Sequence, residues 1–216
     1  MEDQKPQIVR SLKLALQIFK DCDANYRIVG SMLVTSYIHR IFRRVGDLDV
    51  LLDKKSYSCI LSKLEESGYI LKKKHWSFFQ WIEAEKKDCL GFTFLLVGEF
   101  NDTCFRYEII PRCELRIRIE YLHPTSYSFE GIDFLGIPLS SVQAGIRQAF
   151  LNPKRKLDKQ VLQVHTKNDT SNQIYNNIQV FLWGIKIPYL YDVFSFFYNI
   201  YGGFRVVLDK KYESWE

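Results

Sequence analysis

The segment DLDVLL (residues 47–52) most constrains the fold of this 216-residue chain. Its apolar residues alternate with two acids, which is typical of a short β-strand that buries one face. Side chains at positions i and i+2 of a strand lie on the same face, so Asp47 and Asp49 project together. Two carboxylates this close repel each other, and one tends to protonate unless a cation lies between them. The segment therefore predicts either a metal site or an edge strand with a solvated acidic face.

The spacing of apolar residues predicts the other elements. Before the acidic segment, we expect a helix over residues 6–20, the short strand YRIVG and a helix with Ser31 as its N-cap. After it, we expect a helix and then several strands, among them the hairpin GFTFLLVGE–CFRYEIIP and the strand LRIRIEYL. Past FLGIPLSS the pattern becomes helical. The sequence therefore predicts an α+β part over residues 1–136 and a helical part over residues 137–216.

The composition is that of an ordinary globular protein. With 30 Lys plus Arg against 25 Asp plus Glu, the net charge is +5, too small for a dedicated binder of duplex DNA but compatible with a polyanionic substrate. No apolar run reaches the roughly 18 residues of a membrane span, and the start of the sequence shows no signal-peptide pattern. The five cysteines lack metal-binding spacing, and their odd number favours reduced thiols and a cytoplasmic location.

A glycine–serine pair precedes the acidic strand. Gly30 lets the backbone approach a ligand closely, and the free N–H groups that follow Ser31 can bind phosphate. An ordinary turn with a serine cap fits the same residues. Between this pair and the aspartates, Arg43 can hold a phosphate through a bidentate pair or can lie solvated at a helix end. Each feature alone leaves both interpretations open.

In combination, the strand, the Gly30–Ser31 pair, the helix and the second strand with Asp47 and Asp49 resemble the signature of the polymerase-β-like nucleotidyltransferase superfamily. The layout is most similar to the small antibiotic nucleotidyltransferases, which modify lincosamides and aminoglycosides. It is also similar to the minimal and toxin-type enzymes, and weaker similarity extends over about residues 8–160. Where the antibiotic enzymes carry two glycines and a tryptophan, this chain has Gly-Ser-Met, which favours the minimal and toxin-type branches.

The resemblance implies a nucleotidyltransferase fold, in which a mixed β-sheet is flanked by helices and followed by a helical C-terminal region. It also implies Mg²⁺ at Asp47 and Asp49 and a third acid on a further strand. Glu108, flanked by apolar residues in RYEIIP, is the preferred third acid, as a metal ligand or as a general base. Glu120 is its rival, although the neighbouring arginines of RIRIE can neutralise it as a surface pair.

The resemblance further assigns the contacts with a nucleotide. Gly30 and Ser31 are expected to hold phosphate, with Arg43 in support. Lys156, in the basic run NPKRKLDK, is expected to lie over the triphosphate tail. A solvated charged face is the alternative interpretation of that run.

We therefore expect a Mg²⁺-dependent nucleotidyltransferase that transfers a nucleoside monophosphate, preferably AMP, from an NTP to an acceptor hydroxyl and releases pyrophosphate. The acceptor stays open between a small hydroxylated molecule and a protein or tRNA. A catalytically silent module with the same fold, which binds without transfer, is the alternative from a different class. The aromatic residues from Tyr189 to Tyr201 are expected to pack in a helical core, and exposed members would favour a homodimer contact.

Overall fold

One mixed β-sheet dominates the computed structural model, which describes residues 4–76, 79–147, 153–165 and 178–193. The strands in these ranges are β1 (Tyr26–Val29), β2 (Asp47–Asp53), β3 (Ile70–Trp76), β4 (Phe79–Glu85), β5 (Gly91–Phe100), β6 (Cys104–Ile110), β7 (Cys113–Arg118), β8 (Thr125–Phe129), β9 (Ile132–Gly136), β10 (Ile178–Leu182) and β11 (Ile185–Ile187). The main helices are α1 (Lys5–Asp21), α2 (Ser31–Tyr37), α3 (Tyr57–Glu66), α4 (Leu139–Arg147) and α5 (Pro153–His165), and a 3₁₀ turn covers Ile119–Leu122. None of the helices in the described ranges is long and apolar enough to cross a membrane.

The acidic strand β2 lies inside the sheet. The strand order is β11-β10-β7-β6-β5-β2-β1-β9-β8, and β4, with β3 beside it, makes a second contact with β5. On one side of β2, the antiparallel strand β1 places Val29 opposite Asp49. On the other side, the parallel strand β5 places Thr93 opposite Asp49. An edge strand with a solvated acidic face is therefore excluded.

One face of the central strands packs against helices in the hydrophobic core. Ile8 of α1 and Ile60 of α3 are fully buried on the apolar sides of their helices, and they belong to the same core as Phe92 and Phe94 of β5. Because successive side chains of a strand point to opposite faces, the intervening Thr93 points away from these phenylalanines. Thr93 therefore shares its face with the aspartates of β2.

The predicted α+β architecture with a mixed sheet is confirmed, but some local predictions are wrong. Ser31 is the first residue of α2 and not its cap; Gly30 occupies the cap position, and no side chain bonds to the helix end. The predicted strand LRIRIEYL ends at Arg118 and continues as the 3₁₀ turn. These differences leave the order of the elements around the acidic strand as predicted.

The helical prediction is also wrong for residues 178–187, which form the hairpin β10–β11. Trp183 and Gly184, at the tip, have φ angles of 49° and 80°, and two successive positive φ angles are the mark of a tight hairpin turn. β10 then pairs with β7, so this part of the chain joins the sheet of residues 1–136. Tyr189 is exposed, whereas the predictions for the aromatic residues from Phe194 onward lie outside the described residues.

The expectation of reduced thiols is wrong for two of the five cysteines. Cys22, directly after α1, forms a disulfide with Cys59 of α3, with a Cα–Cα distance of 5.8 Å. The other three, Cys89, Cys104 and Cys113, are free. The disulfide links two helices that both pack in the core.

Candidate active site

Asp47 and Asp49 share one face of β2, as the sequence predicts. Leu48 and Val50, which alternate with them, are fully buried in the core, whereas the two aspartates are half-buried. Both carboxylates are therefore held side by side on a strand that has partners on its two edges.

Gly30 joins β1 to α2 directly beside Asp49. Its φ of 74° and ψ of −148° lie in a region that is essentially restricted to glycine. A Cβ atom at this position would collide with Oδ2 of the Asp49 carboxylate. Only glycine therefore satisfies both the backbone geometry and the contact, and it brings the main chain of the turn against the acidic pair. Ser31 follows, with its side chain buried.

The positive charges near Asp49 do not offset its burial and the negative charge of Asp47. Burial, followed by the negative charge of Asp47, raises the pKa of Asp49 from its ordinary value of 3.8 to about 7. The positive charges of Arg155 and Arg43 act in the opposite direction without compensating fully. Thr93 of β5 donates its hydroxyl hydrogen to Oδ2 of Asp47. A divalent cation between the carboxylates would favour their ionised forms.

The first turn of α5 brings basic side chains to this pair. Arg155 interacts electrostatically with Asp49, and Lys154 interacts with both aspartates. Burial, followed by the charge of Arg43, lowers the pKa of Lys154 from 10.5 to about 8, and the aspartates oppose this shift in part. The site therefore combines two acids of β2 with cations from a helix far along the sequence.

Arg43 lies in the loop before β2 and is held by a carboxylate of α5. Its Nε and Nη2 atoms donate to Oδ1 and Oδ2 of Asp158 at 2.6 and 3.0 Å. Nη1 of Arg155 donates to Oδ2 of the same carboxylate at 3.2 Å, and Asp158 is fully buried. Because the fork of Arg43 is directed at Asp158, its contact with phosphate stays a prediction.

The structure does not bring Glu108 to the aspartates. β6 pairs with β5 only at Glu99 and Phe100, well beyond Thr93 along the strand. Glu108 is exposed and lies opposite Glu114 of β7. Within the described ranges, no group of three or more His, Cys, Asp or Glu side chains could hold a metal ion. The expected third acid is therefore missing from the pair, as far as the described residues extend.

Two further predicted residues lie on the surface. Glu120, the rival third acid, is exposed and pairs with Arg118, with an Nη2–Oε1 distance of 3.0 Å. This is the surface pairing that the sequence allows. Lys156 is exposed on α5, and its contact with a triphosphate stays a prediction.

Sequence reasoning missed Thr93 and Asp158. Thr93 is the one polar residue in the apolar stretch GFTFLLV, and a lone polar residue in a buried strand is a signal that could have found it. Asp158 stands in the basic run KRKLDK and resembles part of a solvated helix face. Its main hydrogen-bond partner is Arg43, which lies 115 residues earlier, so no local pattern reveals the pair.

A separate cavity of about 1150 Å³ lies between β4 and β6. Ile82, Phe94 and Val97 contribute apolar lining, Lys54 contributes a positive charge, and Glu108 contributes a negative charge. Neither aspartate of β2 lines it. Glu108 therefore belongs to a different concave surface from the acidic pair.

Comparison with known proteins identifies the fold. No family model matches the sequence, and no curated protein matches it significantly. The lincomycin-bound crystal structure of the lincosamide antibiotic adenylyltransferase LnuA is similar, with a TM-score of 0.61 and 16% sequence identity; the match covers 73% of this chain and 97% of LnuA.

The antibiotic-resistance factor ANT(2'')-Ia is also similar. Its solution structure matches with a TM-score of 0.58 and 10% identity, covering 80% of this chain and 91% of that protein. Its crystal structure with adenylyl-2''-tobramycin matches with a TM-score of 0.58 and 11% identity, covering 78% and 93%. These likenesses confirm the resemblance at the level of structure: the chain has the fold of the antibiotic nucleotidyltransferases.

Proposed function

We propose that this chain is a Mg²⁺-dependent nucleotidyltransferase, which transfers a nucleoside monophosphate, preferably AMP, from an NTP to an acceptor hydroxyl. The observation that carries the proposal is the contact of Gly30 with Asp49, since it joins a side-chain-free turn to a pair of carboxylates. The similar structures support it: LnuA is an adenylyltransferase, and ANT(2'')-Ia has been solved with an adenylylated aminoglycoside.

The donor set of Asp47 and Asp49 fits Mg²⁺. This ion usually takes one or two carboxylates and completes its coordination with water and substrate phosphate oxygens, so two protein ligands suffice. The raised pKa of Asp49 supports this fit, because a bound cation would favour the ionised form of that carboxylate. When bound, Mg²⁺ would neutralise the triphosphate and stabilise the charge that develops on it.

The chain's own residues would position the substrate. The main chain at Gly30 and Ser31 offers a surface that a phosphate group can approach closely. Lys154 and Arg155 of α5 would attract the phosphate oxygens by charge. Thr93 orients Asp47 through its hydroxyl group. The acceptor oxygen would then bond to the α-phosphorus as the bond to pyrophosphate breaks, and the hydroxyl proton would pass to solvent water. Positioning and charge would be the main contributions of the protein.

Transfer of an α-phosphate label tests this proposal. The purified protein is incubated with Mg²⁺, each labelled NTP, and a pool of antibiotics, tRNA or cell-lysate protein. We expect one pool to take up label, which names the acceptor class, and we expect Asp47→Ala to abolish uptake. Asp133→Ala, which removes an exposed acid of β9, is the matched control and should transfer normally. A protein that neither binds nor transfers any NTP under these conditions would refute the proposal.

A nucleotide-binding module without transfer is the second candidate. It is favoured by one observation: within the described residues, the aspartate pair has no third acidic ligand, and Thr93 occupies the neighbouring position on the parallel strand. This candidate predicts NTP binding that depends on Asp47 and Asp49 but no labelled product with any acceptor pool. Binding and transfer measured on the same preparation therefore separate the two functions.

A further inference from the structure

Asp158 is a buried acid for which the proposed chemistry has no direct use. It lies on α5, and it is fully buried. Arg43, from the loop before β2, donates two hydrogen bonds to it at 2.6 and 3.0 Å, and Arg155 donates a third at 3.2 Å. Two charge-assisted hydrogen bonds therefore link α5 to the loop that leads into the acidic strand, and the third holds Arg155 to the same carboxylate within the helix.

The buried Arg43–Asp158 pair is better explained by its effect on the orientation of two elements than by its contribution to the stability of the fold. Removing two charges from water is unfavourable, and a buried ion pair often stabilises a protein no more than apolar residues of similar volume. A bidentate pair between a guanidinium and a carboxylate, however, fixes the relative orientation of the two elements. The Arg43–Asp158 fork is thus suited to set the position of α5 relative to the loop before β2.

The start of α5 is the part that carries the cations of the site. Lys154 and Arg155 precede Asp158 by four and three residues, a spacing that places all three side chains on one side of the helix. Lys154 interacts electrostatically with Asp47 and Asp49. An anchor at Asp158 therefore also fixes the cations that face the aspartates.

We propose that Asp158 is a positioning residue, which holds the basic start of α5 beside the aspartate pair and thereby sets the strength of triphosphate binding. It does not touch the substrate; it acts through Arg43 and Arg155. The inference rests on the proposed function for its ligand, whereas its geometric part stands on the contacts of α5.

The test is Asp158→Asn, which keeps the shape of the side chain and removes its charge. Two readouts are measured: the dissociation constant of an NTP with Mg²⁺, and the pH dependence of Lys154 acylation, followed by mass spectrometry of the modified peptide. We expect the dissociation constant to rise about tenfold, as for the loss of one charged contact. We expect the midpoint of Lys154 acylation to move from about 8 towards 10.5, because the lysine leaves its buried position.

Two variants make the result specific. Asp158→Glu keeps the carboxylate and should restore most of the affinity. Glu130→Gln breaks the exposed Lys5–Glu130 pair, which has an Nζ–Oε1 distance of 2.8 Å, and it should change neither readout. If Asp158→Asn lowers the melting temperature but leaves both readouts at their wild-type values, Asp158 is only structural and the proposal is overturned.

A second substitution covers the case in which Asp158→Asn does not fold. Arg43→Met combined with Asp158→Leu replaces the fork by apolar side chains of similar volume, a change that buried ion pairs often tolerate. We expect the dissociation constant of the NTP with Mg²⁺ to rise about tenfold, as in Asp158→Asn, and an unchanged constant would overturn the proposal. The Lys154 midpoint does not serve for this variant, because loss of the Arg43 charge by itself raises the pKa of Lys154. If the wild-type protein binds no NTP, the proposed function fails, and amide hydrogen exchange of α5 decides the geometric part: it should be faster in Asp158→Asn than in the wild type, and equal exchange would overturn the positioning role.

Discussion

The strands β2 and β6 each carry an acid flanked by apolar residues, but the two acids have different surroundings. The family resemblance groups Asp49 and Glu108 into one metal site. β2 lies between β1 and β5, with the Gly30 turn against one of its carboxylates. Glu108 of β6 is exposed, opposite another acid. An alternating pattern thus identifies the polar face of a strand, but it does not predict which residues lie over that face.

What lies over each face decides the chemistry. Over β2, the start of α5 contributes Lys154 and Arg155, and burial, followed by the charge of Asp47, raises the pKa of Asp49. Over β6, Glu108 faces solvent and the cavity shared with β4, and within the described ranges it has no ion pair. A half-buried acid beside a glycine turn is therefore a stronger sign of a functional site than an exposed acid on a regular ladder.

The largest expected effect separates the two strands by activity. Asp49→Asn should lower the rate of nucleotidyl transfer by about 100-fold or more, because it removes charge that binds the metal at the reacting phosphates. Glu108→Gln should stay within about twofold of the wild type, because its strand does not reach the site. Transfer rates at saturating NTP measure both. Equal losses in the two variants would show that Glu108 contributes to transfer as much as Asp49 does.

The contact between Gly30 and Asp49 should have the next largest effect, on the stability of the protein. Gly30→Ala should destabilise the protein by about 3 kcal/mol or more, through strain at positive φ and a collision with Asp49. Gly131→Ala is the matched control, since Gly131 has a φ of 73° but open space around its Cβ position, so strain alone should cost about 1 kcal/mol. Urea unfolding measures both. Equal destabilisation would show that the contact with Asp49 is unimportant.

The charge of Asp49 should appear in the pH dependence of stability. In metal-free buffer, the folded state keeps a proton on Asp49 up to about pH 7, whereas the unfolded state loses it near 3.8. The contribution of Asp49 to the free energy of unfolding is therefore fully present below pH 4, and it is lost as the pH rises through 7. Asp49→Asn should gain stability relative to the wild type over this window, on the order of 1 kcal/mol per pH unit.

Urea unfolding at pH 5 and pH 8, with a chelator present, measures this gain. Asp133→Asn, at the exposed acid of β9, is the control and should show no comparable gain. A constant difference between Asp49→Asn and the wild type across the window would contradict the assigned burial of Asp49.

The smallest effect is expected on β6. Glu108→Gln should change the free energy of unfolding by less than about 0.5 kcal/mol, and towards greater stability, because Glu108 lies directly opposite Glu114 and like charges repel across a ladder. Glu114→Gln should be less favourable, since Glu114 accepts hydrogen bonds from Arg116. If Glu108→Gln lowers the free energy of unfolding by more than about 1 kcal/mol, Glu108 makes a stabilising contact and the expectation is wrong.

Local patterns could predict most of the N-terminal architecture. Helical spacing located α1 and α3, alternation located β2 and the β5–β6 hairpin, and the sequence already placed Asp47 and Asp49 on one face. The misses at Asp158, the C-terminal hairpin and the disulfide have a common physical cause, because each depends on residues far apart in sequence. Asp158 pairs with Arg43, and the hairpin over residues 178–187 is completed by its pairing with β7. The disulfide of Cys22 likewise depends on how α1 packs near α3.

Equilibrium binding of a non-hydrolysable NTP analogue, titrated with and without Mg²⁺, measures whether β2 carries the metal–nucleotide site. Since Asp47 and Asp49 are assigned to the metal, we predict that the wild-type protein binds the analogue much more tightly with Mg²⁺ than without. We predict that Asp47→Asn abolishes this Mg²⁺ dependence, whereas Glu108→Gln retains it. Equally tight, Mg²⁺-dependent binding by wild type and Asp47→Asn would contradict the assignment of the metal–nucleotide site to β2.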